Sequence, residues 1–230
     1  MKRIVLFWLV VSLFTFAQSK DPIKIINEVK TRFDKIQDYE VDVNIKLDFS
    51  MVKIPDTNAK LYFKQPDKVK VDSKGFAMLP KQSLSFSPSQ FLQGDYTAIY
   101  VKTETANSHK LDVIKIIPNS DSTDVILSTL WIDQTQKVIH KIETTGKKSG
   151  TLHVELTYEN KTSALPSSVI FSFNLGNMPI HDEMVSDKED QKQTRNRSRQ
   201  NMSMSGKVYM TYTNYKINKG IPDSFFEEKK

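Results

Sequence analysis

The 230-residue chain contains no cysteine. That excludes disulfide staples, thiol chemistry and a lipid anchor carried on a cysteine after an export signal. Glycine is scarce, at seven residues, too few for several of the backbone loops that cradle phosphates or cofactors. No GxSxG, HExxH or phosphate-binding glycine loop occurs, so the common hydrolase, metalloprotease and nucleotide signatures are absent. No stretch repeats, and no second composition regime marks a second domain. Long apolar runs are missing with one exception. Basic Met1-Lys2-Arg3 precedes residues 4–17, which are apolar except for Ser12 and Thr15, and Thr15-Phe16-Ala17 ends the run with small residues at the −3 and −1 positions. These are the three parts of a secretory signal peptide, and the run is shorter than the roughly 20 residues a membrane span needs. The expectation is a signal peptide over 1–17 and one exported domain over 18–230. That domain is long enough for one core and must hold together by packing alone. Removal of Lys2 and Arg3 lowers the formal charge of +6 by two. The remaining positive charge is mild, and its spread argues against nucleic acid.

What is present is mostly period-two alternation. One helix comes first: Asp21 can cap it, Pro22 suits its first position, and Ile23, Ile26, Val29, Phe33 and Ile36 form one apolar stripe. From Val41 to Met51 the apolar residues then alternate with polar ones, as in a strand with one dry face. A second alternating run from Leu61 to Val71 is broken by Pro66-Asp67, which suits a turn. Residues 76–94 are apolar without clean alternation. Within them Ser87, Pro88 and Gly94 bracket one short helix. Strands are expected at 96–102, 111–117, 124–133, 137–145, 151–158, around 169–175 and at 207–217. The loop Gly146 to Gly150 closes a hairpin in which Lys141 faces Glu155 and Glu143 faces His153. The opposite face of that hairpin carries Val138, His140, Ile142, Leu152, Val154, Leu156 and Tyr158, and Leu130 and Ile132 join it from the preceding strand. Residues 181–205 are polar and nearly free of large apolar side chains, which reads as a mobile loop. The methionines that dot and flank it suit a docking role as the alternative. The total is one long helix, one short helical segment and about ten antiparallel strands in a single, mainly β domain.

Candidate catalytic groups are few. His153 pairs with Glu143 in the hairpin, and His109 and His181 lie in polar stretches. His140 falls on the apolar face, where a lone histidine reads as a satisfied core residue, because a metal site needs three or four converging ligands. Asp121, Asp124 and Asp133 cluster near strand ends, but turns favour aspartate in any case. A hydrolase built on such a pair is the weakest reading. The sequence calls for no cofactor and no metal.

Several stretches taken together resemble the LolA-type lipoprotein carriers and their outer-membrane lipoprotein-sorting relatives. Phe33-Asp34-Lys35-Ile36-Gln37-Asp38-Tyr39 is similar to the end of that family's opening helix. Leu61 to Val69 resembles its apolar strand followed by a basic-residue and proline turn. Leu130-Trp131-Ile132-Asp133 and the ending Ile217 to Phe226 are similar to the sorting relatives. The order of these motifs matches over most of residues 18–230. The resemblance implies an incomplete antiparallel β-barrel with an N-terminal helix and a short helical lid over its concave face. It also implies a periplasmic, non-enzymatic, soluble protein, monomeric and not lipid-anchored, which takes acyl chains of a lipoprotein or lipid into an apolar cavity and passes them to a membrane-bound acceptor. The cavity and lid would then be lined by Leu61, Phe63, Val69, Val71, Phe76, Met78, Leu84, Phe86, Phe91, Leu92, Leu130, Ile132, Val138, Ile142, Val154, Leu156, Phe171 and Phe173. One departure stands out. The position just before the turn proline, where the family commonly places an arginine that latches the lid, is Gln65, an uncharged and weaker hydrogen-bonding group. The competing expectation is an envelope binding or assembly protein with a packed interior, working through 181–205.

Overall fold

A computed structural model of the chain describes residues 20–49, 52–53, 55–73, 94–177 and 203–227. The expected signal peptide, the lid positions Phe76, Met78, Leu84, Phe86, Phe91 and Leu92, and nearly all of 181–205 lie outside the described residues.

The described residues form a helix α1 (Pro22–Asp34) followed by β1 (Asp38–Phe49), β2 (Val52–Lys53), β3 (Thr57–Lys64) and β4 (Lys68–Asp72), then β5 (Tyr96–Ala106), β6 (His109–Pro118), β7 (Val125–Asp133), β8 (Val138–Gly146), β9 (Gly150–Thr157), β10 (Ser168–Asn177) and β11 (Ser203–Ile217). Every pairing is antiparallel. The strands run in the order β4-β3-β1-β11-β10-β9-β8-β7-β6-β5, with the two-residue β2 beside β1. The sheet is therefore open, with β4 and β5 at its two edges, as expected for an incomplete barrel. It must also curl. Seven inter-strand steps separate β3 from β6, about 34 Å if flat, whereas residues 20 to 33 span about 20 Å along a helix. Yet the Phe33 ring meets Phe63 on β3 at 5.8 Å, and Lys20 Nζ reaches Asp112 on β6 at 2.6 Å.

Asp21 caps α1 through its side chain, accepting from the backbone N–H of Ile23 and Lys24, and Pro22 opens it, as the sequence suggests. The buried stripe is Ile25, Ile26, Val29 and Phe33, whereas Ile23 is 42% exposed. The spacing admits either residue beside Ile26, and α1 settles with Ile25 inward because Glu28 is drawn to Lys137 and Arg32 to the 161–163 loop on its other flank. Lys137 Nζ lies 2.5 Å from Glu28, and Arg32 Nη2 donates to the carbonyls of Lys161, Thr162 and Ser163. The strand face beneath is Tyr39, Val41, Val43, Ile45 and Leu47 from β1, all buried, with Ala59, Leu61 and Phe63 from β3. It continues through Ile114, Leu130, Ile132, Ile139, Ile142, Val154, Leu156, Val169, Val208 and Met210.

The expected β8–β9 hairpin is found in the expected register, with Lys141 opposite Glu155 and Glu143 opposite His153. Its loop is clasped from outside by Asp124, whose carboxylate accepts from the N–H of Lys148 and Ser149 and from Ser149 Oγ. A Cβ at Gly146 would meet Ser149 Oγ and that carboxylate, so a larger residue there would have to push the clasp aside. The facing within β8 departs from the expectation. Lys141 pairs with Trp131 but Ile139 with Ile132, so His140 is an extra residue in a β-bulge. Ile139 and Ile142 face the core, while Val138, opposite Asp133, and His140 turn to the outer face.

The chain end straps the outer face of β3 and β4. Lys64 Nζ donates to the Ile221 carbonyl and pairs with Asp223, and Lys70 Nζ sits 4.3 Å from the Phe225 ring, which in turn packs on Tyr62. Asp38, 3% exposed, anchors this strap by accepting from the N–H of Lys219 and Gly220. Asp38→Asn should therefore cost about 1.5–3 kcal/mol, the worth of hydrogen bonds to a charged group. The check is a lower urea midpoint at unchanged m-value.

Candidate functional site

The concave face is mostly apolar, with Asp112 of β6 buried in it beside Lys20, but it is not equally covered. At the end where β1 begins, β3 meets β4 and β7 meets β8, α1 lies across the sheet. Leu61, Phe63, Leu130, Ile132 and Ile142 are at most 1% exposed there. Of the cavity residues suggested by the sequence, these five, with Val154 and Leu156, are filled core. The opposite end differs. Val71 near the end of β4, Tyr96 and Ala98 at the start of β5, Leu152 at the start of β9, and Phe171 and Phe173 on β10 are only half-buried, although they pack against the same cluster. Val69 is half-buried too. At this end β4 stops at Asp72 and β5 begins at Tyr96, and β10 stops at Asn177 and β11 begins at Ser203.

The polar groups on this face include Asp112, whose Oδ1 takes Lys20 and Thr103 while its buried Oδ2 has no hydrogen-bond partner among the described residues. Ser128 and Thr144 share a hydrogen bond of 2.9 Å across β7 and β8. A pair of tyrosines on β11 lines the centre. The Tyr215 hydroxyl donates to the Pro166 carbonyl at 2.8 Å, and Tyr212 reaches the Met210 sulfur at 3.6 Å. Burial pushes both phenols well above the usual tyrosine range, so they stay neutral and the face carries no ionised group of theirs. The bulge at Asn214, whose φ is +58°, keeps Tyr212 and Tyr215 on the same side although three residues apart.

Gln65 occupies the turn between β3 and β4. Its N–H donates to the Gln37 carbonyl at 2.8 Å, and its side-chain Nε2 is buried with no hydrogen-bond partner among the described residues. Asp124 and Asp133 are both committed to loops: Asp133 Oδ1 accepts from the N–H of Thr135 and Gln136. Val138 is buried but on the outer face, apart from the other suggested lining residues.

No helix among the described residues is long and apolar enough to cross a membrane. No protein-family model matches the sequence, and no curated protein matches it in sequence. Similarity appears in three dimensions. A domain named for outer membrane lipoprotein sorting from Vibrio parahaemolyticus superposes with a TM-score of 0.59 at 10% identity, over 89% of this chain and 95% of that one. A DUF1329 family protein from Desulfovibrio piger gives 0.54 at 13% identity, over 90% and 98%. A LolA superfamily protein from Nitrosomonas europaea gives 0.52 at 11% identity, over 91% and 98%. The fold is thus LolA-like, an open antiparallel barrel around one N-terminal helix, as the motif order suggested.

Proposed function

We propose that this protein is a non-enzymatic periplasmic carrier that shelters acyl chains of a lipoprotein or lipid on the half-covered end of its concave face and hands them to an acceptor at a membrane. One observation carries the reading: α1 closes one end of the apolar face, whereas Val71, Leu152, Phe171 and Phe173 at the other end are left half-buried. Contiguous apolar surface left open in a folded chain marks a binding site. The LolA-like fold supports the cargo class, because the sheet and helix match a domain named for lipoprotein sorting. The chemistry requires such a shelter. At about 0.8 kcal/mol per buried methylene, a sixteen-carbon chain resists entry into water by about 12 kcal/mol, so transfer must proceed by contact within an apolar wall. Residues 76–93 would be the lid.

The test is direct. Protein purified without detergent should carry lipid detectable by mass spectrometry of the intact complex, or after delipidation should take up a fluorescent fatty acid with saturation near one site. A delipidated, folded chain that takes up none would refute the proposal.

A further inference from the structure

The outer face of the sheet holds a second site, unrelated to the acyl hollow. His109 at the start of β6, Asp133 at the end of β7 and His140 in the β8 bulge converge there. One ligand atom from each lies within 4.8 Å of the others. Asp133 Oδ2 is 2.7 Å from His109 Nδ1 and 4.0 Å from His140 Nε2. The carboxylate cannot swing away, because its Oδ1 is held by the backbone N–H groups of Thr135 and Gln136 at 2.8 and 2.9 Å. Gln136, itself buried, places its Nε2 3.2 Å from His109 Nδ1 and 3.3 Å from Asp133 Oδ2. The two imidazole rings lie 4.6 Å apart by their centres, and the Tyr158 ring meets His140 edge-on from the far side.

Two features point to a ligand between these groups. His140 Nε2 is buried and has no hydrogen-bond partner among the described residues, which a hydrogen-bonded structural cluster would not leave so. The β-bulge, moreover, turns His140, together with Val138, from the core face to the outer face, a device common beside functional sites. We propose that His109, Asp133 and His140 bind a divalent transition-metal ion of the zinc class.

Two imidazoles and one carboxylate are the donors that suit zinc and its neighbours rather than calcium or magnesium. In a tetrahedral site with bonds of about 2.1 Å, ligand atoms sit roughly 3.4 Å apart, so no spacing here has to change by more than about 1.4 Å, shared between two side chains. In the tautomer that carries its hydrogen on Nδ1, His109 donates to Asp133 Oδ2 across 2.7 Å. For Nδ1 to take the cation the ring must be the tautomer with its hydrogen on Nε2, so the hydrogen shifts from Nδ1 to Nε2 as the ion takes its place. His109 and His140 also border a cleft of about 670 Å³ in which Glu104, Glu155 and Glu159 outnumber Lys141 and Lys161. That balance favours a cation, and the cleft leaves its fourth position open to water or a small ligand.

The experiment uses the chelator-stripped mature chain, titrated calorimetrically with zinc chloride and, separately, with cobalt chloride followed by visible absorption. One ion per chain is expected, with the intense absorption of tetrahedral cobalt. His109→Gln and His140→Gln should each weaken zinc binding by at least about 100-fold, and Gln136→Ala, which touches two ligands without being one, by about tenfold. His153→Gln, paired with Glu143 at 3.2 Å elsewhere on the sheet, should change nothing. Circular dichroism verifies that each variant folds, and the cobalt spectrum of the unaltered chain needs no variant. No saturable binding, a pale octahedral cobalt spectrum, or full affinity in a folded His140→Gln chain would overturn the assignment. Fatty-acid uptake is read on the other face, so failure of either proposal leaves the other standing.

Discussion

Phe171→Asp is expected to abolish uptake of a fluorescent fatty acid while the chain remains folded. Phe171 stands between Val154 and Val208 across the sheet. Those two neighbours are 1% and 4% exposed, yet Phe171 itself is half-buried, so its ring covers the core on one side and faces the open end on the other. An aspartate there keeps partial access to water in the empty protein and should lower stability by only about 1–3 kcal/mol. When an acyl chain lies against it, the carboxylate loses that water and gains no partner, a cost of several kcal/mol. Because each 1.4 kcal/mol is tenfold in affinity, the loss should be at least about 100-fold. Ile170→Asp is the control. Ile170 is opposite Glu155 and Tyr209 and faces outward, so uptake should persist. Equal uptake by the Phe171 and Ile170 variants would place the guest elsewhere and end the proposal for this face.

The sheet was legible in the sequence because its physics is local. Strict alternation from Val41 to Leu47 needs only one buried face, and all four apolar residues of that run are buried. The β8–β9 register was legible because opposite charges and glycines agree on a single alignment. The bulge at His140 was not. An extra residue leaves no mark in composition, and the apolar residues at 138, 139 and 142 fit two facings equally well. Its consequence was the larger loss, since His109, Asp133 and His140 lie far apart in sequence and converge only once that one side chain is turned outward. The rotation of α1 was ambiguous for the same reason, with Ile23 and Ile25 both adjacent to the Ile26–Val29–Phe33 line. Burial along the concave face was also out of reach. Phe63 and Phe171 have the same residue type and alternation, and only the position of α1 makes one a core residue and the other a rim residue.

That contrast sets the second large effect. Phe63→Ala should cost about 3–5 kcal/mol, the range for removing a fully buried aromatic ring and leaving its cavity. Phe63 is 1% exposed, stacks on Tyr39 at 5.0 Å and meets Phe33 edge-on at 5.8 Å. It is therefore where α1, β1 and β3 lock together. In a domain of this size each kcal/mol moves the melting temperature by about 2–4 °C, so a fall of about 6–20 °C is expected. The urea midpoint should drop at unchanged m-value, because the same surface is still exposed on unfolding. Below its lowered melting temperature the variant should still take up fatty acid, since the guest's proposed place is the far end of the face. The two phenylalanines should thus separate by uptake: Phe63→Ala lowers stability with uptake retained, and Phe171→Asp abolishes uptake at a smaller cost in stability. A Phe63→Ala chain that melts within about 2 °C of the parent, a loss of 1 kcal/mol or less, would mean that α1 does not close its end of the barrel. The asymmetry on which the carrier proposal rests would then be gone.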